Sequence, residues 1–364
     1  MTRADLTVAV GLSGGVDSSV AAWVLKQEGY NVIGLMMKIY DPSIGTLPAL
    51  KDACFGPSEN KDMETASRLC EFLGIPFHCI DLTKEYRSIV LEYFRQQYLS
   101  GRTPNPCVVC NRRIKFDFLI KKARAAGISF DYFATGHYAR VKKLRDRFVL
   151  MRSMDPKKDQ SYFLYGLSQQ QLSRILFPLG EFSKEKVREL ARSIGLPTAE
   201  RPESQDFLSG GDYSLLFRAQ EIKPGDIVDI HGNVLGRHKG IIFYTVGQRK
   251  GLGISHPDPL YVTRIDPQSN RIIVGAKKDL ESRKVLLSNL NYISISSLTA
   301  PMEVTAKIRY RHREAPATLY PQGKNKALLV FHSPQRAVTP GQSAVFYSGD
   351  YVVGGGIIEQ AIHQ

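Results

Sequence analysis

Gly11-Leu12-Ser13-Gly14-Gly15-Val16-Asp17-Ser18-Ser19 constrains this chain more than any other stretch. A short apolar run over residues 6–10 precedes it, and a helical pattern over residues 20–27 follows. A strand that turns through two glycines into a helix points several backbone N–H groups at one spot, where the helix adds partial positive charge. An anion such as a phosphate chain suits that spot. The lysine-bearing phosphate loop is excluded, because no G-x-x-x-x-G-K-[ST] occurs anywhere. Strands are expected next over residues 32–37, 77–80 and 132–135, alternating with helices over about 61–73, 86–99 and 111–126. This order predicts an open parallel, Rossmann-like α/β sheet with its ligand at the strand C-termini. Helices are expected to continue over residues 169–194 and to stop at Gly195-Leu196-Pro197.

The pattern changes near residue 212. Turn signals at Pro224-Gly225-Asp226, His231-Gly232-Asn233 and 267–271 recur at hairpin spacing, and from residue 284 onward the alternation is β throughout. We therefore expect an α/β catalytic domain built on the glycine loop over 1–212, a small β-rich central domain over 213–282 and a C-terminal β-barrel over 283–364. No signal-peptide pattern and no apolar run near the ~18 residues of a membrane span is found, so a cytoplasmic protein with no membrane partner is expected. Lys and Arg number 49 against 35 Asp and Glu, a net charge of +14. An excess of that size suits a polyanion, nucleic acid first among them. Read as a strand, residues 308–313 would set Arg309, Arg311 and Arg313 on one face, able to follow a phosphate backbone. Residues 245–251 form a second basic turn.

Five cysteines stand at 54, 70, 79, 107 and 110. Cys70 and Cys79 fall in helical and strand patterns and read as small core residues. Cys107 and Cys110 form a lone C-x-x-C in a proline-stiffened loop, expected to lie just before a helix. The helix N-terminus, with Arg112 and Arg113, predicts lowered thiol pKa values and a reactive thiolate. A second pair at matching spacing is absent, so no metal site is expected.

Several stretches carry a specific resemblance. The strand, S-G-G-x-D-S and helix resemble the pyrophosphate loop of the ATP pyrophosphatase superfamily, which splits ATP between its α and β phosphates. GLSGGVDSSVAAWVLK, GRTPNPCVVCNRRIKF, ATGHYAR, KDQSYFLY, FPLGEFSKEKVRELA, TVGQRKGLG and PGQSAVFY follow one another from end to end. Together they resemble the tRNA-specific 2-thiouridylase family, bacterial enzymes that replace the C2 oxygen of the wobble uridine with sulfur. The resemblance implies ATP on Gly11, Leu12, Ser13, Gly14, Gly15, Val16, Asp17 and Ser18, with Met37 and Gly136 beside it, and Mg2+ held with help from Asp17. It implies Cys110 as the nucleophile and Asn105, Pro106 and Cys107 at the target base. His137, Lys158, Asp159, Gln160, Arg309, Tyr310 and Gln342 match positions of tRNA contact. Adenylation of the uracil oxygen would come first. Sulfur would follow from a cysteine persulfide charged by a sulfur-carrier protein of a cysteine desulfurase relay. A monomer is expected.

One departure matters. The family usually places a second cysteine after D-S-x-x-[ILV]; it receives the persulfide and later pairs with the nucleophile. Here Glu203-Ser204-Gln205-Asp206-Phe207-Leu208 puts leucine at that place. We expect the two-thiol function to have moved into the C-x-x-C, with Cys110 carrying sulfur and Cys107 resolving it as a disulfide. An iron–sulfur cluster on Cys107, Cys110 and a third residue such as Cys54 is the alternative, not favoured.

Overall fold

The computed structural model describes residues 2–44, 53–201, 206–208, 213–323 and 325–362. Two compact units result: residues 1–90, 107–213 and 350–352 make the first, and 91–106, 214–349 and 353–364 the second.

In the first unit, β1 (Thr7–Leu12), β2 (Asn31–Lys38), β4 (Phe77–Asp81), β5 (Tyr132–Thr135) and β8 (Ile175–Leu176) form one sheet in the order β4-β2-β1-β5-β8. Every pairing in it is parallel. The short strands β3 (Ala53–Phe55) and β9 (Asp206–Leu208) pair separately, and β6 (Ala139–Leu144) and β7 (Arg147–Arg152) form a hairpin. Val8 and Val10 of β1 are buried with Val20, Ala21 and Leu25 of the helix α1 (Val16–Gln27). Each of these valine and leucine side chains contributes roughly 1.5–3 kcal/mol on leaving water. Gly34 of β2 meets the helix α2 (Glu59–Leu73) at backbone distance: a Cβ there would lie 2.5 Å from Cys70 Sγ. Cys70 is thus a packing residue, as expected, and burial pushes its thiol up to about 12. The strand order reverses at β1, and ligands favour such a switch point.

Three sequence expectations give way here. Residues 169–194 are not helical throughout: Gln169–Leu172 is helical, β8 intervenes, and the next helix is Lys184–Ser193. Ile175 is buried and pairs with Phe133, so tertiary burial overrides the local helical pattern. Cys79 is exposed rather than core, because β4 is the outer strand of the sheet. The helix expected from residue 111 begins earlier, at Pro106, where a proline fits the first turn without losing a hydrogen bond.

The second unit is β-rich after residue 225. Strands β10 (Gly225–Asp229), β11 (Val234–His238), β12 (Tyr261–Asp266) and β13 (Arg271–Gly275) form a sheet ordered β11-β10-β13-β12. Strands β14 (Glu281–Tyr292), β15 (Met302–Lys307), β16 (Ala315–Pro321), β17 (Lys326–Arg336), β18 (Ser343–Ser348) and β19 (Tyr351–Ile362) follow in the order β14-β17-β16-β15-β18-β19. Pairing of β14 with β19 closes them into a barrel and removes the free edges. Leu287, Val304, Leu319, Leu329 and Phe346 fill it. The row of arginines at 309–313 is not a strand. With Ala306 paired to Ala315, the residues between must make the connection, and His312 N–H closes a turn on Arg309 O. Arg309 donates to Arg336 O and Ala337 O at 3.3 and 3.2 Å.

Candidate active site

The glycine loop sits at the C-terminal ends of β1 and β5. Gly14 takes a left-handed φ of +71°, open to glycine at no cost. Gly15 caps α1 in extended conformation, which leaves the helix's first N–H groups facing outward. Ser13 N–H donates to Ser18 Oγ at 3.2 Å, and the Ser18 hydroxyl donates to Gly15 O at 3.1 Å, so the loop is held by its own side chains. Arg201, far along the chain, clamps it: one guanidinium nitrogen donates to Gly14 O and the other to Asp62 Oδ1, both at 2.8 Å. The recess in front measures about 290 Å³, and Ser13, Asp17, Met37, Gly136 and His137 line it. Glu59, also at its wall, is buried and accepts the N–H groups of Ile39 and Tyr40. Desolvation there outweighs those bonds and raises its pKa.

Asp17 is not free in the loop. Lys184 Nζ lies 2.7 and 2.8 Å from its two carboxylate oxygens, and Tyr138 OH donates to Oδ1 at 2.8 Å. Lys184 sits in the first turn of a helix capped by Ser183, where a cation opposes the helix dipole. Its ion pair with Asp17 explains that placement. A phosphate chain in the recess would offer this ammonium a second anionic partner.

The thiols meet a different environment from the one expected. Cys110 is buried, and Arg112 and Arg113 are both exposed. The cation beside the thiols is Lys115. Burial pushes Cys110 up to about 11 against the opposing pull of Lys115. Cys107 keeps contact with solvent, but crowding by protein and the nearby Cys54 and Cys110 push it up to about 12. The expectation of lowered pKa values is therefore wrong: desolvation exceeds what a helix start and one lysine return. For Lys115, burial opposes the charge, but Cys110, Cys54 and Cys107 outweigh it and raise its pKa. Lys115 and Cys54 also line the recess of the glycine loop. Among the described residues, no three His, Cys, Asp or Glu side chains are placed to hold a metal ion.

A family model described as "tRNA methyl transferase HUP domain" matches residues 6–208, a "PRC-barrel domain" model of the same series 214–276, and an "Aminomethyltransferase beta-barrel domain" model 282–358. The protein named tRNA-specific 2-thiouridylase MnmA 1 from Caldanaerobacter subterraneus subsp. tengcongensis is 49% identical over 363 residues, 98% of each chain. The namesake enzyme of Acetivibrio thermocellus is 47% identical over 359 residues, covering 97% of this chain and 99% of its own. That of Clostridium botulinum (strain Alaska E43) is 45% identical over 367 residues, all of both chains. The chain belongs to the tRNA-specific 2-thiouridylase family.

Several of the residues expected at RNA hold the protein's own loops. Asp159 is buried and accepts from Ser153 N–H, Ser161 N–H and the Ser161 hydroxyl, which makes it a loop-holding residue rather than one open to RNA. Gln160 Oε1 accepts from Tyr138 N–H, and the residue lines the recess, as does His137. Burial, with Lys115 near, holds His137 well below the usual imidazole range, and its Nδ1 shares a hydrogen bond of 2.7 Å with Thr135 Oγ1. A neutral His137 can bond a base or sugar but brings no charge to a phosphate. Lys158 is half-buried in the same segment. In the second unit, Gln342 donates to Thr103 O and Pro104 O at 3.0 Å each, fixing the loop that leads to Asn105 and Pro106. Pro106 is buried, Asn105 is partly so, and Arg309 and Tyr310 stay partly open on their turn.

Sequence reasoning missed Lys184, Tyr138, Arg201, Glu59 and Lys115. Only Lys184, a cation directly after a helix cap, left a local signal. Gly136, expected beside ATP, lines the recess and packs against the loop: a Cβ would lie 2.7 Å from Asp17 C and Ser18 N. Gly136→Ala is expected to displace the loop and cut tRNA-dependent ATP–pyrophosphate exchange about tenfold or more while circular dichroism stays unchanged. Full exchange activity would show that the loop yields without cost.

Proposed function

We propose that this chain is an ATP-dependent tRNA sulfurtransferase that converts the wobble uridine to 2-thiouridine, with AMP and pyrophosphate as the other products. The observation that carries the reading is one recess in which the glycine loop at the β1/β5 switch point opens beside Lys115, next to Cys107 and Cys110. A uracil carbonyl oxygen is a poor leaving group. Adenylation converts it into one, and the loop's N–H groups with Lys184 suit the phosphates that this step moves. Mg2+ would sit on those phosphates with Asp17 as its protein ligand and offset their charge. Sulfur then comes from Cys110. The outer sulfur of its persulfide attacks C2, and AMP departs with the oxygen. Cys107 thiolate attacks the Cys110 sulfur, the bond to the uridine sulfur breaks with its electron pair left on the product, and a Cys107–Cys110 disulfide remains for an external thiol to reduce. In this reading residues 1–212 carry the chemistry, while the basic β-rich parts over 213–282 and 283–364 hold tRNA. The enzyme acts as a cytoplasmic monomer served by a sulfur-carrier protein of a cysteine desulfurase relay. No helix among the described residues is long and apolar enough to cross a membrane.

The test is thiolation of an unmodified tRNA transcript with ATP, Mg2+ and the persulfide of a cysteine desulfurase as sulfur source, read by nucleoside mass spectrometry. Product from wild type but from neither Cys107→Ser nor Cys110→Ser supports the dithiol reading. Full multiple-turnover activity in Cys107→Ser sinks the resolving role. Absence of product from wild type sinks the whole reading.

A further inference from the structure

Cys110 offers a protein donor little surface. That residue is 9% exposed, and a persulfide moves only when one sulfur touches the next. An accessible thiol must stand between the donor and the buried one. Family members were expected to place such a receiver at position 208, where this chain has leucine. The structure brings another thiol to that neighbourhood. β3 pairs in parallel with β9, Ala53 with Asp206 and Phe55 with Leu208, so Cys54 stands on the strand bonded to the one that ends in Leu208. Side chains alternate along a strand. Phe55 is fully buried against Tyr40 and Tyr86, whereas Cys54 is exposed and lines the nucleotide recess with Lys115. Cys54 is also near enough to Cys107 and Cys110 for its charge to act on both. Three thiols and one lysine thus share the site, and Cys54 comes from an element separate from the C-x-x-C.

We propose that Cys54 is the sulfur-receiving residue of this enzyme, a thiol on β3 standing in for the one missing from β9. The proposal rests on the tRNA-thiolation reading and adds its entry step. Cys54 thiolate attacks the outer sulfur of a protein cysteine persulfide; the donor's S–S bond breaks, and the donor cysteine leaves as a thiolate. Cys110 thiolate then attacks the outer sulfur of the Cys54 persulfide. A new S–S bond forms on Cys110, the Cys54 S–S bond breaks, and Cys54 returns as a thiolate. The outer sulfur keeps its proton balance through solvent, and no oxidant or reductant is consumed.

The experiment uses the full chain as wild type, Cys54→Ser, Cys110→Ser and the double variant Cys54→Ser/Leu208→Cys. Sulfur is supplied either as the persulfide of a cysteine desulfurase or as inorganic sulfide, which needs no receiver. In Cys54→Ser, the loss of 2-thiouridine formation with the protein persulfide should exceed the loss with sulfide by about tenfold or more. Leu208→Cys should restore a large part of the donor-dependent rate, because it returns a thiol to the adjoining strand. Cys110→Ser, treated with the persulfide donor alone, should hold the mass of one added sulfur on the peptide containing Cys54. Equal losses with both sulfur sources, or an unloaded Cys54 in Cys110→Ser, would overturn the proposal. So would iron bound by anaerobic wild type and lost in Cys54→Ser, which assigns the three thiols to a cluster. The trapping arm needs no tRNA, so it stays readable even if wild type makes no 2-thiouridine and the broader reading falls.

Discussion

Replacing Cys110 by serine is expected to lower 2-thiouridine formation by at least about a thousandfold, while tRNA-dependent exchange of pyrophosphate into ATP continues. The two halves of the reaction use different groups. In the proposed mechanism exchange depends on the glycine loop, Lys184 and the bound base, none of which needs a thiol. Sulfur delivery, in that mechanism, depends on Cys110, a buried cysteine on which Lys115 acts. Its environment also sets a pH signature. Burial raises the Cys110 pKa to about 11, so the neutral thiol dominates below that value. At pH 8 about one molecule in a thousand carries the thiolate. The rate of alkylation by iodoacetamide should therefore climb about tenfold for each pH unit from 7 to 10 and level off near 11. Lys115→Met removes the opposing cation, so its curve should lie lower and level off later. An alkylation midpoint below pH 8 would contradict the buried, desolvated thiol. The raised pKa suits a sulfur carrier, because a thiol kept protonated between turnovers resists stray oxidation.

The expected reactive thiolate failed for a reason that bears on what a sequence can reveal. Arg112 and Arg113 are the charges nearest in sequence, yet both face solvent. Lys115, five residues from Cys110, would stand about 140° away around an α-helix and out of reach. The segment Cys110–Phe118 is a π-helix instead. Its i→i+5 bonding widens the turn and brings position 115 back over position 110. No propensity announces a π-helix, so the cation beside Cys110 was invisible. The glycine loop was legible because its physics is local: a strand, two glycines and a helix start lie within a dozen residues. The parallel sheet was legible from the alternation that surrounds it. Cys54, Arg201 and Lys184 reach the site from distant parts of the chain, and the order of residues alone gives no distance between them. The arginine row misled because its alternation sets cations against Tyr310 and His312, a pattern that a turn satisfies as well as a strand.

Lys184→Met should cost less than the loss of the nucleophile but should act on the other half-reaction, raising the KM for ATP in the exchange assay about 10- to 100-fold. That range follows from a charge-assisted bond of about 1.5–3 kcal/mol to a phosphate, at 1.4 kcal/mol per factor of ten. Folding stability should fall as well. The Lys184 side chain is 9% exposed and that of Asp17 is 30%, so the pair lies between a surface bridge and a buried one. We expect a loss of about 2 kcal/mol by urea denaturation, between the values typical of those two classes. Two mechanisms would lower activity, and they separate in a double-mutant cycle. If Lys184 only positions Asp17, then Asp17→Asn/Lys184→Met should be no worse than Asp17→Asn alone. If the ammonium turns to the phosphates when ATP arrives, the two losses should approach additivity. Tyr138 supports the second outcome. Its hydroxyl donates to Asp17 Oδ1, so the carboxylate keeps one partner when the lysine leaves, and Asp17 is freed to face a metal ion without losing its position. Tyr138→Phe should then lower exchange in the Lys184→Met background more than in wild type, because the same carboxylate would lose both of its holders.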